Sequence, residues 1–155
     1  MTISCVQGGQ AITQLSGGTK TNLEIQKILY FANMLYIGEN RNKEPLIERE
    51  FLTWPFGPAV QKLYNHIKRY RDACIPVDAF KGIEQIMDDN QNPKLGYEKE
   101  VEIIKRAYNR FGKYSPYKLV RISHWSEGAW RRSKNKGQKE IDDALILDEF
   151  DARKR

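Results

Sequence analysis

Residues 21–38 read TNLEIQKILYFANMLYIG, and this stretch decides the fold. Its apolar side chains recur every three or four residues, which is the spacing of one face of an α-helix. The apolar stripe is wide, so we expect the helix to be buried on most of its sides. Thr21 or Asn22 can cap the first turn by accepting a hydrogen bond from a free backbone N–H group. Gly38 is the predicted end of the helix, because glycine readily adopts the positive φ that follows a last turn.

The segments on either side of this helix are rich in turn-forming residues. Residues 1–20 contain four glycines and show little periodicity, which predicts an irregular lead-in. Residues 45–47 and 51–54 are short β-prone runs, and they predict a small antiparallel hairpin. The sequence WPFGP at positions 54–58 predicts a rigid turn, because two prolines and a glycine disfavour regular structure. Pro58 is expected at the first position of the next helix, where its missing N–H group costs nothing.

Helical signals dominate the remainder of the chain. Apolar residues at helical spacing follow a possible capping residue several times, and Gly112 is a predicted stop. The predicted starts after the hairpin and its following helix are Asp78, Tyr97, Ser115, Ser126 and Ile141. Residues 21–150 are therefore expected to form one compact, mainly α domain of about five to seven helices with one small antiparallel β-hairpin. Residues 151–155 are expected to fray.

The composition is typical of a globular domain, with 40% hydrophobic and 30% charged residues in a chain of 155. No window approaches the roughly 20 apolar residues of a membrane-spanning helix, and the N-terminus has no basic start followed by an apolar run. We therefore expect no membrane contact and a cytoplasmic location. Cys5 and Cys74 are expected to be free thiols, with Cys74 buried and inert. His66 and His124 are not spaced with them as metal ligands, so no metal or cofactor is expected.

Positive charge is concentrated in residues 105–139, the basic segment, which holds eleven Lys or Arg and one acid. Residues 140–151 follow with six acids and no base, so the two stretches can neutralise each other. The aromatic and basic residues mixed here are typical of protein-binding hot spots and also of surfaces that stack nucleic-acid bases. Both readings stay open, and a plain solvated face is favoured over either. The possible partner-binding residues are Tyr114, Tyr117, Arg121, Arg131, Arg132 and Lys134.

His124, beside Trp125, is the one local candidate for acid–base chemistry. A histidine at a helix end, packed against nearby aromatic rings, explains the same residue without catalysis. The chain shows no glycine loop for phosphate and no carboxylate pair at catalytic spacing. We therefore assign no catalytic residue and expect that the protein is not an enzyme.

Four segments occur in a characteristic order: residues 21–32, residues 54–64, residues 111–115 and residues 123–130. Together they resemble the Panacea domain, also called the SocA-like or phage-associated domain. The resemblance implies a mainly helical fold with a small antiparallel sheet and no known catalytic residues. It also implies an antitoxin that binds and neutralises a protein toxin, or an adaptor that delivers the toxin to an energy-dependent protease.

The residues that carry the resemblance are expected to serve mainly as scaffold. They are Gln26, Lys27, Tyr30, Trp54, Gly57, Pro58, His124 and Trp130. Two departures from the family pattern stand out. The helix that usually precedes the first motif is replaced here by a glycine-rich stretch, and Ser123 stands where the family more often has threonine. A nucleic-acid-binding regulator that uses the basic segment is the alternative function.

Overall fold

The computed structural model describes residues 1–41 and 44–154, and its architecture is helical with one hairpin. The predicted mainly α class, with about five to seven helices and one small antiparallel sheet, is confirmed. The elements in chain order are α1 (Cys5–Ser16), α2 (Asn22–Asn40), β1 (Leu52–Trp54), β2 (Gly57–Ala59), α3 (Gln61–Ile67), α4 (Glu98–Phe111), α5 (Pro116–Ser123), α6 (Ala129–Asn135) and α7 (Asp143–Arg153). Single 3₁₀ turns occupy Lys68–Tyr70 and Val77–Phe80. No helix in the described part of the chain has the length and apolarity needed to cross a bilayer.

Helix α2 lies at the centre of the molecule, as its wide apolar stripe predicts. It packs against α1, α3, α4, α5, α7 and the hairpin, and nearly all its side chains are buried. Thr21 and Glu24 form a capping box at its start, which satisfies two free N–H groups of the first turn. Phe31 stacks on Phe111 of α4 with ring centroids 4.3 Å apart. Burying side chains of this size contributes about 2–3 kcal/mol each, so α2 holds the other elements in place.

The predicted end of α2 at Gly38 is wrong, because the helix continues to Asn40. Gly38 is inside the helix, where the ring of Phe150 from α7 lies so close that a side chain at position 38 would overlap it. This glycine therefore serves close packing. Arg41, with φ of 51°, takes the left-handed position that ends the helix.

The predicted irregular lead-in over residues 1–20 is also wrong, because α1 occupies most of it. Ser4 and Gln7 form a capping box at its start. A Cβ atom at Gly8 would stand 2.7 Å from Leu29, and one at Gly9 would stand 2.6 Å from Leu63. The glycines thus permit close approach of α1 to α2 and α3, and the expected replacement of the helix before the first motif does not occur.

The hairpin lies later in the sequence than predicted, because its strands are residues 52–54 and 57–59 and not residues 45–47 and 51–54. Its strands pair Leu52 with Ala59 and Trp54 with Gly57, so the expected turn over 54–58 supplies half of the sheet. Pro58 therefore lies in β2 and does not begin α3. The N–H group of Thr53, opposite Pro58, donates to the carbonyl of Lys139 instead, so the missing proline donor breaks no bond of the hairpin.

Three further boundaries differ from expectation. Asp78 starts no helix beyond a 3₁₀ turn, because Lys81 adopts an extended ψ of 131°. Gly128, not Ser126, precedes α6. The predicted frayed tail over 151–155 is helical up to Arg153, whose guanidinium donates to the carbonyl of Ile122 at 2.8 Å. Position 155 lies outside the described residues. The predicted helix after residue 97, its stop at Gly112, and the cap at Ser115 are confirmed.

Candidate functional site

Gln26 points from α2 toward the end of the hairpin. Its side-chain oxygen accepts a hydrogen bond from the Val60 N–H group at 2.9 Å, and its NH₂ group faces the Val60 carbonyl at 3.4 Å. Both groups are buried, where an unpaired backbone group would cost about 1–3 kcal/mol. Gln26 therefore fixes the chain between β2 and α3.

Lys27, the next residue, is 1% exposed, and its ammonium group donates to the Pro58 carbonyl at 2.9 Å. Burial lowers the pKa of this lysine from 10.5 to about 7, because removal from water disfavours the charged form. Among residues 1–41 and 44–154, no carboxylate forms an ion pair with it. Lys27 thus places a buried amine beneath the hairpin, and its lowered pKa leaves it only partly charged near pH 7.

Gly57 allows the hairpin to rest on this lysine. Its φ is +104°, a conformation that L side chains rarely adopt. An added Cβ would stand 2.7 Å from Cε of Lys27 and 2.5 Å from the hydroxyl oxygen of Ser123 in α5. Three of the family motifs therefore meet in space because position 57 carries no side chain.

Tyr30 connects α2 to the C-terminal helix. Its hydroxyl donates to Glu149 at 2.8 Å, and the N–H group of Ala129 at the start of α6 donates to the same carboxylate oxygen at 2.9 Å. Arg153 donates to the other oxygen at 2.7 Å. Burial, together with the Glu149 charge, raises the pKa of Tyr30. Glu149 was not predicted from the sequence, since it looks like one more acid of the stretch that follows the basic segment.

His124 stacks on Trp130, with ring centroids 3.9 Å apart and planes 10° apart. The indole N–H of Trp130 donates to the Trp54 carbonyl at 2.9 Å, so this pair supports the other end of the hairpin. Burial lowers the pKa of His124, and the positive charges of Arg131 and Lys27 lower it further. The stacked position agrees with the packing interpretation of this histidine.

A surface groove of about 790 Å³ lies between α2, the hairpin and α3, and we refer to it as the groove. Leu23 and Lys27 line it from α2, Trp54 and Phe56 from the hairpin, and Tyr64 from α3. The rings of Trp54 and Tyr64 meet edge to face with centroids 5.1 Å apart. Phe56, at the tip of the hairpin, is 70% exposed. An aromatic wall is thus open to solvent directly above the family motif residues.

The chain that follows α3 supplies charge to the rim of the groove. Lys68 and Arg71 line it, and Asp72 is the acid beside them. Within the described part of the chain, neither Lys68 nor Arg71 takes part in an ion pair. Arg71 has a φ of 52°, a left-handed conformation that costs a non-glycine residue about 1–3 kcal/mol. The one signal for the groove in the sequence is a phenylalanine, Phe56, in a turn between two prolines.

The six possible partner-binding residues fall into two sets. Near α5, Tyr114 packs edge-on against Phe111, Tyr117 is 74% exposed, and Arg121 is exposed. On α6, Arg131 and Lys134 lie over the ring of Trp130 at 5.0 and 5.4 Å.

The remaining member of the α6 set, Arg132, pairs with Asp148 of α7 at 3.4 Å. The acidic stretch therefore folds back on the basic segment, as its charge pattern allows.

The cysteines differ in exposure. Cys5 and Cys74 are both free thiols, as expected. Cys5 is buried, which raises the pKa of its thiol to about 12, with the nearby Glu48 charge adding to the rise. The predicted burial of Cys74 is wrong, because the neighbouring Ile75 takes the core position and leaves the thiol at the surface. In the described residues, no three His, Cys, Asp or Glu side chains come together as metal ligands.

Comparison with known proteins identifies the scaffold. The family described as antitoxin SocA-like, Panacea domain, matches residues 25–131, which contain α2 after its first turn, the hairpin, α5 and Trp130. Antitoxin SocA of Caulobacter vibrioides (strain NA1000 / CB15N) is 30% identical over 115 residues, which cover 71% of this chain and 57% of that protein. No solved structure matches. The chain therefore belongs to the antitoxin SocA-like, Panacea domain family.

Proposed function

We propose that this protein is an antitoxin that binds a cognate protein toxin and neutralises it by contact, without catalysis. The observation that carries the proposal is the family match over residues 25–131, together with a relative whose name is Antitoxin SocA. The chain spans 57% of the length of that relative. The antitoxin role and the toxin partner are therefore inferences for this chain.

The surface of the protein supports a binding role. The groove presents exposed Phe56 and Tyr64 beside two cations, Lys68 and Arg71. Tyrosine, tryptophan and arginine dominate the energetics of protein interfaces, because they bury large areas at a small cost in side-chain entropy. The ring of His124, the candidate for acid–base chemistry, is stacked on the ring of Trp130.

Co-expression with the protein encoded by the adjacent gene, as the candidate toxin, tests the proposal. We expect growth to be restored and the two proteins to co-elute on size exclusion. His124→Phe keeps the stacking surface and removes the titratable group, so this variant should still restore growth. Loss of both rescue and complex with the wild-type chain would contradict the antitoxin role. Loss of rescue in His124→Phe, with the complex and the fold intact, would contradict action without catalysis.

Neutralisation by delivery to an energy-dependent protease is the finer form of the same proposal. It requires the two proteins to meet in the cytoplasm, where ATP drives proteolysis. The toxin half-life after arrest of translation separates the two forms. Delivery shortens the half-life when the antitoxin is present, whereas direct occlusion leaves it unchanged or lengthens it.

A further inference from the structure

We propose that the groove between α2, the hairpin and α3 is the surface that docks the toxin, and that it receives an acidic segment of the toxin bearing a large apolar side chain. The inference rests on the proposed function and deepens it by naming the surface and the chemistry of its occupant.

Exposed aromatic rings give the groove its apolar character. Phe56 is 70% exposed and Tyr64 is 38% exposed, and both line the groove. The other large exposed apolar side chains of the described residues, including Leu95 and Val77, do not line it. Exposed aromatic rings that gather in one concave surface, with Trp54 in contact with Tyr64, are typical of a docking site for an apolar side chain.

The groove is also held rigid before any partner arrives. Gln26 bonds to the Val60 backbone, Lys27 to the Pro58 carbonyl, and Trp130 to the Trp54 carbonyl. Gln26 and Lys27 are neighbours on α2 and Trp130 lies on α6, and together they fix three points along the hairpin and its exit. A preformed wall loses little conformational entropy on binding, so more of the contact energy appears as affinity.

Charge decides the chemistry of the occupant. Lys68 and Arg71 lie on the rim with Asp72, the acid that lines the groove beside them, and Lys27 in the floor is only partly charged near pH 7 because burial lowers its pKa to about 7. An ammonium group has three donors, and in the described residues the Lys27 ammonium has one acceptor, the Pro58 carbonyl. A surface with surplus positive charge favours an acidic partner and suppresses basic ones. An apolar wall beside that charge fits a protein segment that carries both a carboxylate and a large apolar side chain.

The test uses the full chain and its cognate toxin, with affinity measured by titration calorimetry. Phe56→Asp removes the exposed ring and adds repulsion toward an acidic segment. Lys68→Glu combined with Arg71→Glu reverses the charge of the groove rim. We expect each to weaken binding at least thirtyfold. The matched controls are Tyr117→Asp, whose ring is 74% exposed, and Lys136→Glu with Lys139→Glu, both exposed in the basic segment. These controls should change affinity less than threefold.

The outcomes separate the two proposals. If the wild-type chain forms no complex, the antitoxin role fails and the groove assignment fails with it. If the wild-type chain binds and the groove variants bind equally well, the groove assignment alone is overturned. Thermal unfolding of each variant must match that of the wild type, and Phe56→Ser supplies a second substitution at an exposed position if Phe56→Asp is destabilised.

Two competitors test the chemistry of the occupant. Overlapping 15-residue peptides that cover the toxin should bind the wild-type chain only where they combine net negative charge with a large apolar side chain. Binding confined to basic peptides would overturn the inference. A single-stranded 20-nucleotide DNA should not displace the toxin from the wild-type chain, and direct DNA binding to the free chain that the groove variants abolish would mark the groove as a nucleic-acid site instead.

Discussion

The groove and the basic segment are two cation-bearing surfaces of the same protein, and they differ in how their charges are used. In the basic segment, Arg106 pairs with both Glu39 and Glu102, and Arg132 pairs with Asp148. Other cations there lie over aromatic rings, as Lys118 does over Tyr114 at 4.0 Å. In the groove, two rim cations, Lys68 and Arg71, face one acid, Asp72, beside exposed rings. The density of charge along the sequence is therefore a poor guide to where charge is free to bind a partner.

The two surfaces also differ in how much structure lies beneath them. The groove rests on buried hydrogen bonds from Gln26, Lys27 and Trp130 to the backbone of the hairpin region. Side chains of the basic segment such as Tyr117, Lys136 and Lys139 are exposed. Substitutions in the groove floor should therefore affect stability and binding together, whereas substitutions in the exposed part of the basic segment should affect neither.

The largest difference is expected between two glycines with positive φ. Gly57→Ala forces a methyl group against Lys27 and Ser123, and it also imposes an unfavourable φ. We expect a loss of about 2–4 kcal/mol of unfolding free energy, from strain and overpacking combined. Gly137→Ala is the matched control, because its φ is +72° and nothing lies within 4 Å of the added atom. It should cost about 1 kcal/mol. Urea unfolding measures both, and equal losses would contradict the close contact at position 57.

The next effect concerns the pH dependence of stability. The pKa of Lys27 is about 7 in the folded state and 10.5 when solvated, so the unfolded chain binds more protons between these values. Stability must therefore rise with pH across this window, by roughly 1–2 kcal/mol between pH 7 and 8.5. The lowered pKa of His124 keeps this neighbour neutral over the same range.

Lys27→Met removes this contribution. The difference in unfolding free energy between the wild type and the variant should grow in favour of the wild type as the pH rises from 7 to 8.5. Lys136→Met, at an exposed position, is the control and should keep the slope of the wild type. Parallel pH profiles for the wild type and Lys27→Met would show that this ammonium group is not desolvated in the folded protein.

The smallest effect is expected for nucleic acid on the basic segment. Its paired and ring-bound cations leave few to neutralise phosphates, so a 20-base-pair duplex should bind no more tightly than about 10⁻⁵ M at 150 mM salt. Lys136→Glu with Lys139→Glu reverses two of the exposed cations that remain and should weaken this binding further. A fluorescence anisotropy titration that gave tight binding with a steep salt dependence would favour the alternative function and reverse the ranking of the two surfaces.

Local signals predicted some elements well. Thr21 at the start of α2 and Ser115-Pro116 at the start of α5 are capping patterns whose partners lie within one turn. Gly112 at the end of α4 is a signal of the same kind. Such elements depend on neighbours in sequence, so the chain alone indicates them.

The wrong predictions for the N-terminal helix and for Pro58 share one cause, which is that both features depend on contacts between residues distant in sequence. Gly8 and Gly9 predict a break in regular structure, yet in the fold they allow α1 to pack closely against Leu29 and Leu63, which are distant in sequence. Pro58 is accommodated in a strand because the N–H group of Thr53 opposite it donates to Lys139, outside the hairpin.

The family resemblance predicts the motif residues of the candidate site, whereas the sequence does not predict the groove that several of them line. Its walls come from α2, the hairpin and α3, and Lys27 meets Pro58 only in the folded chain. No periodicity in the sequence carries that information.

Site-specific photo-crosslinking tests the central claim, that the toxin docks in the groove, most directly. A benzophenone side chain placed at position 56 or at position 117 replaces an exposed ring in each case, so the fold is preserved in both. With the wild-type complex established, we predict efficient crosslinking to the toxin from position 56 and none from position 117. Crosslinking from position 117 with none from position 56 would contradict the account and assign the partner to the basic segment.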